Sequence, residues 1–337
     1  IEGQVYDGPW TDIKEDVEKI NGMIRWSGDN ETLSWSATAM YFDLTWNSAD
    51  QIPQRAVDQG LIDPYGSLDR TLGGETSRAS LSGMLAWGGE NYENEINAWI
   101  IDYDFQLWSN FTYFLDDPEN GDQFQQLDRR MIYGGEWRRS WRTSAGRGHM
   151  HHTAGVQLRY DDIDPVGLIR TRERQPLSIT RLDQVKETAL GAYYELEWKF
   201  AESWRTVLGV RADGYWFDVE SNIAENSGSE SDGIVSPKGS LIYTINDAAE
   251  AYASGGFGFH SNDARGTTIS VDPVTGEAVE PVDPLVRSRG GEIGARWQGA
   301  GGWTSSLAVW ILKLDSELLF VGDAAGATDR TSQRWLR

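Results

Sequence analysis

Three local groupings in the chain carry residue types that could do chemistry. In Gly148-His149-Met150-His151-His152, His149 and His151 stand two apart, so on an extended strand both imidazoles share a face and could reach one metal ion. A turn at Gly146-Arg147-Gly148 adjoins them and no acidic or fourth ligand stands at a fixed spacing, so no metal site is assigned. The pairs Asp116-Asp117 and Asp161-Asp162 have the composition of acid/base catalysts or calcium ligands, but a chain with 52 acidic residues generates such pairs freely in its loops. Arg170-Thr171-Arg172-Glu173-Arg174, with Arg181 just after, is the one local concentration of positive charge. Its guanidinium forks could hold an anionic ligand or glycolipid phosphates in bidentate geometry; the alternative is a solvated loop balanced by Asp161, Asp162 and Asp164. There is no Ser-His-Asp set and no phosphate-binding loop, Gly255-Gly256-Phe257-Gly258 fits no nucleotide fingerprint, and the chain has no cysteine. The reading is therefore not an enzyme, with no cofactor and no metal.

The elements that position these groups are strands. The 337 residues include 37 Gly, 16 Trp, 13 Tyr and 10 Phe, with few Pro and no long run of strong helix formers. Two-residue alternation recurs along nearly the whole length. Over 192–200, Ala192, Tyr194, Leu196, Trp198 and Phe200 oppose Tyr193, Glu195, Glu197 and Lys199. Over 95–108, Trp99, Ile101, Tyr103, Phe105 and Leu107 oppose Asp102, Asp104 and Gln106. Over 303–320, Ala308, Trp310, Leu312, Leu314, Leu318 and Phe320 oppose Lys313, Asp315 and Glu317. These strands run past ten residues, and Trp and Tyr gather near their ends.

Connections alternate in length. Short turns fall near residues 28–30, 88–91, 201–203, 246–248 and 299–302; longer polar stretches lie at 47–75, 109–122, 161–178, 220–233 and 261–286. Short on one side and long on the other is the rhythm of an all-β, antiparallel, up-and-down transmembrane barrel, here about twelve strands with a further one beginning near Thr331. A propeller would need four short strands per blade, and a soluble sheet would bury its apolar face on a core. In a barrel the apolar stripes face outer-membrane lipid. The opposite stripes face the lumen, namely Asp102, Asp104, Glu195, Glu197, Lys199, Arg205, Arg211, Asp213, Lys313, Asp315 and Glu317, a charge density suited to a wet or plug-filled interior. The net charge of −22 excludes a nucleic-acid partner.

Several stretches, in order, resemble the TonB-dependent outer-membrane receptors. They are the strand from Arg205 to Asp218 with its Gly209-Val210-Arg211-Ala212-Asp213 core, Ser236-Pro237-Lys238 one loop later, and Ala251-Tyr252-Ala253 running to His260-Ser261-Asn262-Asp263-Ala264-Arg265. Val286 to Arg296, Ala308 to Trp310 and Leu314 to Val321 continue the pattern, and upstream Ser109 to Phe114 and Gly121 to Phe124 are similar too. The resemblance implies a bacterial outer-membrane location and energy-coupled uptake of a scarce extracellular small molecule or metal chelate, such as a ferric siderophore. Its contacts would fall on loop and rim residues Arg170, Arg172, Arg174, His260, Asn262, Asp263 and Arg265. Family members carry a plug, a short box that engages the TonB complex, and a barrel of 22 strands with an aromatic terminus. This sequence shows none of the three, so residues 1–337 are expected to be one partial barrel domain without a plug. A passive porin-like channel and a soluble β-rich binding module or adhesin are the rival readings.

Overall fold

The computed structural model describes residues 1–8, 11–145, 148–299, 301–320 and 328–336, with residue 145 and those from 317 onward described by backbone alone. Among the described residues the chain forms one antiparallel sheet of fourteen strands in strict sequence order. These are β1 (Glu2–Tyr6), β2 (Val17–Asp29), β3 (Leu33–Asn47), β4 (Gly73–Gly89), β5 (Tyr92–Ser109), β6 (Phe124–Ala145) and β7 (Gly148–Arg172). They continue with β8 (Gln175–Lys199), β9 (Trp204–Ser221), β10 (Gly228–Asn246), β11 (Ala249–Ser261), β12 (Leu285–Gln298), β13 (Thr304–Phe320) and β14 (Thr328–Leu336). The helices are single turns, α1 (Gln54–Asp58) after β3 and α2 (Ala264–Thr267) after β11. No described helix is long and apolar enough to cross a membrane.

Loops at 48–72, 110–123 and 262–284 rise from one edge, as the sequence indicates. The expected loops at 161–178 and 220–233 do not form. β7 and β8 are each 25 residues and meet at the two-residue turn Glu173-Arg174, while β9 and β10 are joined by only 222–227. Polar composition misled there because these strand ends rise above the membrane, where the outward face is polar and only a few inward residues such as Ile163 and Val166 meet a dry cluster, so no lipid-facing apolar stripe marks them.

Register decides which side chains share a face, since directly opposed residues in an antiparallel pair point the same way. Following Glu195↔Gly209, Gly209↔Lys238, Lys238↔Gly256, Gly256↔Gly290 and Gly290↔Leu312 puts these positions on one face. That face carries Glu195, Glu197, Arg205, Arg211, Asp213, Lys238, Glu250 and Arg296 and is the polar face. The other carries exposed Leu85, Ile96, Trp137, Val156, Leu158, Leu190, Leu208, Val210, Val235, Leu241, Ile293 and Val309 in an unbroken band from β4 to β13. Such a contiguous apolar surface is tolerated in hydrocarbon and not in water. On β9, Trp204 and Trp216 bracket the band; the strand between them is about 40 Å long, or roughly 28 Å of height at a 45° tilt, which matches the apolar belt of an outer-membrane barrel.

Above the band the polarity of the two faces exchanges. On β9 the apolar face passes from Leu208, Val210 and Trp216 to Asp218 and Glu220, while the polar face passes from Arg211 and Asp213 to Tyr215, Phe217 and Val219. There Phe217 and Val219 pack with Ile163, Val166, Val185 and Ala264 of α2 in a buried cluster. The loop side of the sheet is thus wet outside and partly dry inside.

This exchange corrects four sequence-based placements. Asn97↔Glu136 and Glu136↔Gln157 put the odd positions of β5 on the polar face, so Trp99, Ile101, Tyr103 and Phe105 lie there, and Asp102 and Asp104 lie on the apolar-band side with Arg129. Ile293↔Val309 and Arg289↔Lys313 likewise put Lys313 on the band side, and Asp315 follows it by alternation. Both strands carry apolar residues at both parities, Ile96 and Ile100 against Trp99 and Ile101, and Val309 and Ile311 against Trp310 and Leu312, so periodicity alone cannot choose the face. The side chain of Glu317 lies outside the described residues.

Candidate functional site

Within the height of the band the polar face is a self-neutralised wall. Lys238 Nζ lies 2.7 Å from Glu195, Arg211 pairs with Asp213 at 2.6 Å and donates to Gln157 at 2.7 Å, and Tyr193 donates to Glu136 at 2.8 Å. Lower down, Arg205 reaches Glu197 at 3.5 Å and Glu250 at 3.6 Å, and Arg296 meets the same Glu250 at 3.0 Å. Glycines let these long groups lie flat on the sheet: a Cβ at Gly155 would stand 2.5 Å from the Tyr193 ring, and one at Gly191 would stand 2.2 Å from the Arg211 guanidinium. The wall is charged yet low in relief.

At the loop end this wall opens into a recess of about 250 Å³ lined by Arg130, Ile163, Val166, Val185, Glu187, Ser261, Asn262, Asp263 and Arg265. Arg130 is held by Asp128 and lies 3.6 Å from Asp161, whose buried carboxylate also accepts from Nε and Nη2 of Arg159 at 2.7 Å. Arg181 pairs with fully buried Asp183 at 2.5 Å and donates to the Arg265 carbonyl at 3.2 Å. Asp263 caps α2 by accepting from the Arg265 backbone, and its carboxylate takes the Arg265 guanidinium at 2.6 Å. Burial works to raise the Asp263 carboxyl, but Arg265 outweighs it and the group sits below the usual carboxylate range. Among the described residues Glu187 has no such partner. Burial, then the charges of Asp263 and Asp161, push it up to about 7 despite Arg130 and Arg159.

The structure brings together only part of the predicted ligand set. Asn262, Asp263 and Arg265 line the recess, and His260 follows the polar-face parity of β11 just below it. Asn262 is engaged with the Asp283 and Pro284 carbonyls. Arg174 lies elsewhere and is internally engaged: it donates to the carbonyls of Thr71 at 2.7 Å and Leu72 at 3.2 Å and to Asn47 at 3.2 Å, and it lies 4.8 Å over the Trp108 ring. Its backbone and that of Glu173 adopt left-handed φ of 63° and 49°, the geometry of a tight hairpin turn. Gln123 completes this clamp, accepting from Thr171 and Arg174 and donating to Asp69 and Thr71. Arg170 is paired with Asp117 at 3.3 Å, and Arg172 is exposed.

Sequence reasoning did not single out Arg130 or Glu187, and weighed Asp161 only as half of the Asp161-Asp162 pair and as a counter-charge to the arginine run. The spacing of Asp128 and Arg130, and of Arg159 and Asp161, two apart on one strand face, was the available signal. Among the described residues no three His, Cys, Asp or Glu gather to hold a metal. His149 and His151 do share the polar face, while His152 on the opposite face stacks 5.0 Å from Trp141 and bonds Thr143 and Tyr194 at 2.7 Å.

A long antiparallel meander with an apolar belt outside, paired charges inside and tall loops at one rim is the wall of a large outer-membrane β-barrel. The family described as TonB dependent receptor-like, beta-barrel matches residues 10–335, and the chain belongs to it. Its fold is similar to that of the ferric citrate transporter FecA in the unliganded form (TM-score 0.74, 14% identity, covering 95% of this chain and 47% of that one). It is also similar to the ferric-catecholate import receptor Fiu from E. coli K12 (0.71, 9%, 98% and 55%) and to the ferric yersiniabactin uptake receptor FyuA from Yersinia pestis (0.63, 14%, 93% and 48%). The chain thus spans about half the length of the solved structures it matches. No curated protein matches it in sequence.

Proposed function

We propose that this chain forms part of the barrel of a receptor for energy-coupled uptake of a scarce, large extracellular ligand, such as a ferric siderophore, rather than a passive channel or an enzyme. The observation that carries this reading is the contrast along the polar face: charges neutralise one another in flat pairs through the belt, then gather around an open recess at the loop rim. A flat neutral wall suits a lumen filled by another folded element, while a rim recess with Arg130, Glu187, Asp263 and Arg265 supplies the few convergent polar groups of a capture site. Fourteen strands in order, with β14 not pairing β1 among the described residues, need further strands to close in a membrane, and the plug and TonB-engaging box of the family would come with them.

The test uses the full-length protein in its native outer membrane. Uptake of a panel of labelled ferric chelates is measured with energy coupling intact and abolished. Saturable uptake of one class that stops without coupling is expected. Uptake that persists, or a large steady ion conductance in planar bilayers, would establish a porin instead.

A further inference from the structure

Four guanidiniums line or adjoin the rim recess, and each already has a carboxylate: Arg130 has Asp128, Arg159 has Asp161, Arg181 has Asp183 and Arg265 has Asp263. Glu187, directly opposite Asp161 in the β7–β8 register, is the carboxyl left over, with no hydrogen bond or ion pair among the described residues. Resting on the reading of this recess as a capture site, we propose that it takes a cationic arm of the ligand, an ammonium or guanidinium on an aliphatic stem, with Glu187 as the counter-ion.

The recess is short of donors, not of acceptors. An anionic group entering it would have to draw an arginine away from its partner, because Asp161 accepts from Nε and Nη2 of Arg159, and Asp263 accepts from Nε and Nη2 of Arg265. A cationic group displaces nothing. The Asn262 amide nitrogen is likewise committed, donating to the Asp283 carbonyl at 2.7 Å. Asp183 adds to the imbalance. It stands on the strand face of Val185 and Glu187, its side chain is fully buried, and its Oδ1 meets no donor among the described residues. Buried acceptors without donors are costly, and a group rich in N–H donors relieves that cost. A metal ion would find one free carboxyl, since the others are held by guanidiniums.

The surroundings of Glu187 agree with this. Arg130 of β6 and Arg159 of β7 act to lower its carboxyl, but burial, Asp263 beside α2 and Asp161 of β7 push it up to about 7; Tyr215 of β9 and the Asp263-bound Arg265 complete the charged and titratable groups around it. A cation brought by the ligand would pair with the ionised carboxyl and expel its proton. Shape points the same way. Ile163, Val166 and Val185 give the recess an apolar side against which a methylene stem can lie beneath its charged head. Its volume of about 250 Å³ is below the roughly 300–1,000 Å³ of pockets that enclose a whole drug-sized ligand, so it suits one arm of a larger molecule.

The test titrates purified full-length protein in detergent micelles with radiolabelled n-butylguanidinium and with n-butylurea, its uncharged counterpart of the same shape. Saturable binding of the guanidinium is expected, about tenfold or more tighter than the urea. Its affinity should rise by about tenfold per pH unit up to about pH 7 and level off above, because the probe keeps its charge while Glu187 must give up its proton. Glu187→Gln should weaken binding about tenfold at about pH 8 and remove the pH dependence, whereas Glu187→Asp should retain that dependence. Unchanged heat-dependent gel migration shows that each variant still folds. No saturable binding of butylguanidinium, equal binding of the urea, or an unaltered pH profile in Glu187→Gln would overturn the proposal. Energy-coupled chelate uptake without cation binding would remove this inference alone; cation binding in a protein that shows no coupled uptake would support the site and remove the receptor reading alone.

Discussion

Glu187 is a carboxyl whose fold holds a proton the unfolded chain would release. Its ordinary value near 4.5 is pushed up to about 7, chiefly by burial. Because the folded value is the higher one, the folded rim binds more protons than the unfolded chain between those limits, and stability of the rim falls as pH rises through that window, by about 3 kcal/mol. Glu187→Gln should flatten this dependence, read as the pH profile of amide exchange in 262–267; an unchanged profile would assign it to another group. Arg174 makes a different prediction. Arg174→Ala removes three donor contacts and a ring contact that tie the β7–β8 turn to residues 47 and 71–72, and should loosen that clamp by about 2 kcal/mol, seen as faster proteolysis within 48–72 without loss of the barrel. Carboxylates such as Asp128, Asp161 and Asp213 announce themselves in the sequence by an arginine two positions away. Glu187 does not, because its perturbation comes from β7 and the α2 loop.

For the strands, face is the property that matters. Leu208 and Val210 point to the band and Gly209 between them to the polar wall. Leu208→Arg should cost about 2–4 kcal/mol in equilibrium unfolding from lipid vesicles, whereas Lys238→Ala on the opposite face should cost under about 1 kcal/mol. Equal costs would remove the lipid assignment. Gly155→Leu should displace Tyr193 from its flat position and break its bond to Glu136, with a destabilisation of about 1–3 kcal/mol. The strands and their short turns were legible in period-two alternation. The faces of β5 and β13 were not, since apolar residues occupy both parities where the strand passes from lipid to rim.

At the scale of the molecule, the belt and the recess occupy different heights of one sheet, so the membrane-facing surface and the rim recess draw on different parts of the same strands. Brominated lipids should quench Trp204 and Trp216 most strongly from headgroup-proximal positions and weakly from the bilayer centre. Strong central quenching of both would contradict the two-edged belt drawn from β9. The family match spans β2 to β14.

By itself the amino-acid order determined the local geometry: extended segments from alternation, and tight turns from Gly, Asn and Asp. Those are properties of neighbours along the chain. Which charges meet, that Arg174 clamps the β7–β8 turn to residues 47 and 71–72, that Lys313 lies on the band-side face with Arg289, and that Glu187 sits against Asp263 were decided only by register and loop packing. Both join residues far apart in sequence, and a shift of one position in pairing would have turned each of these side chains to the other face.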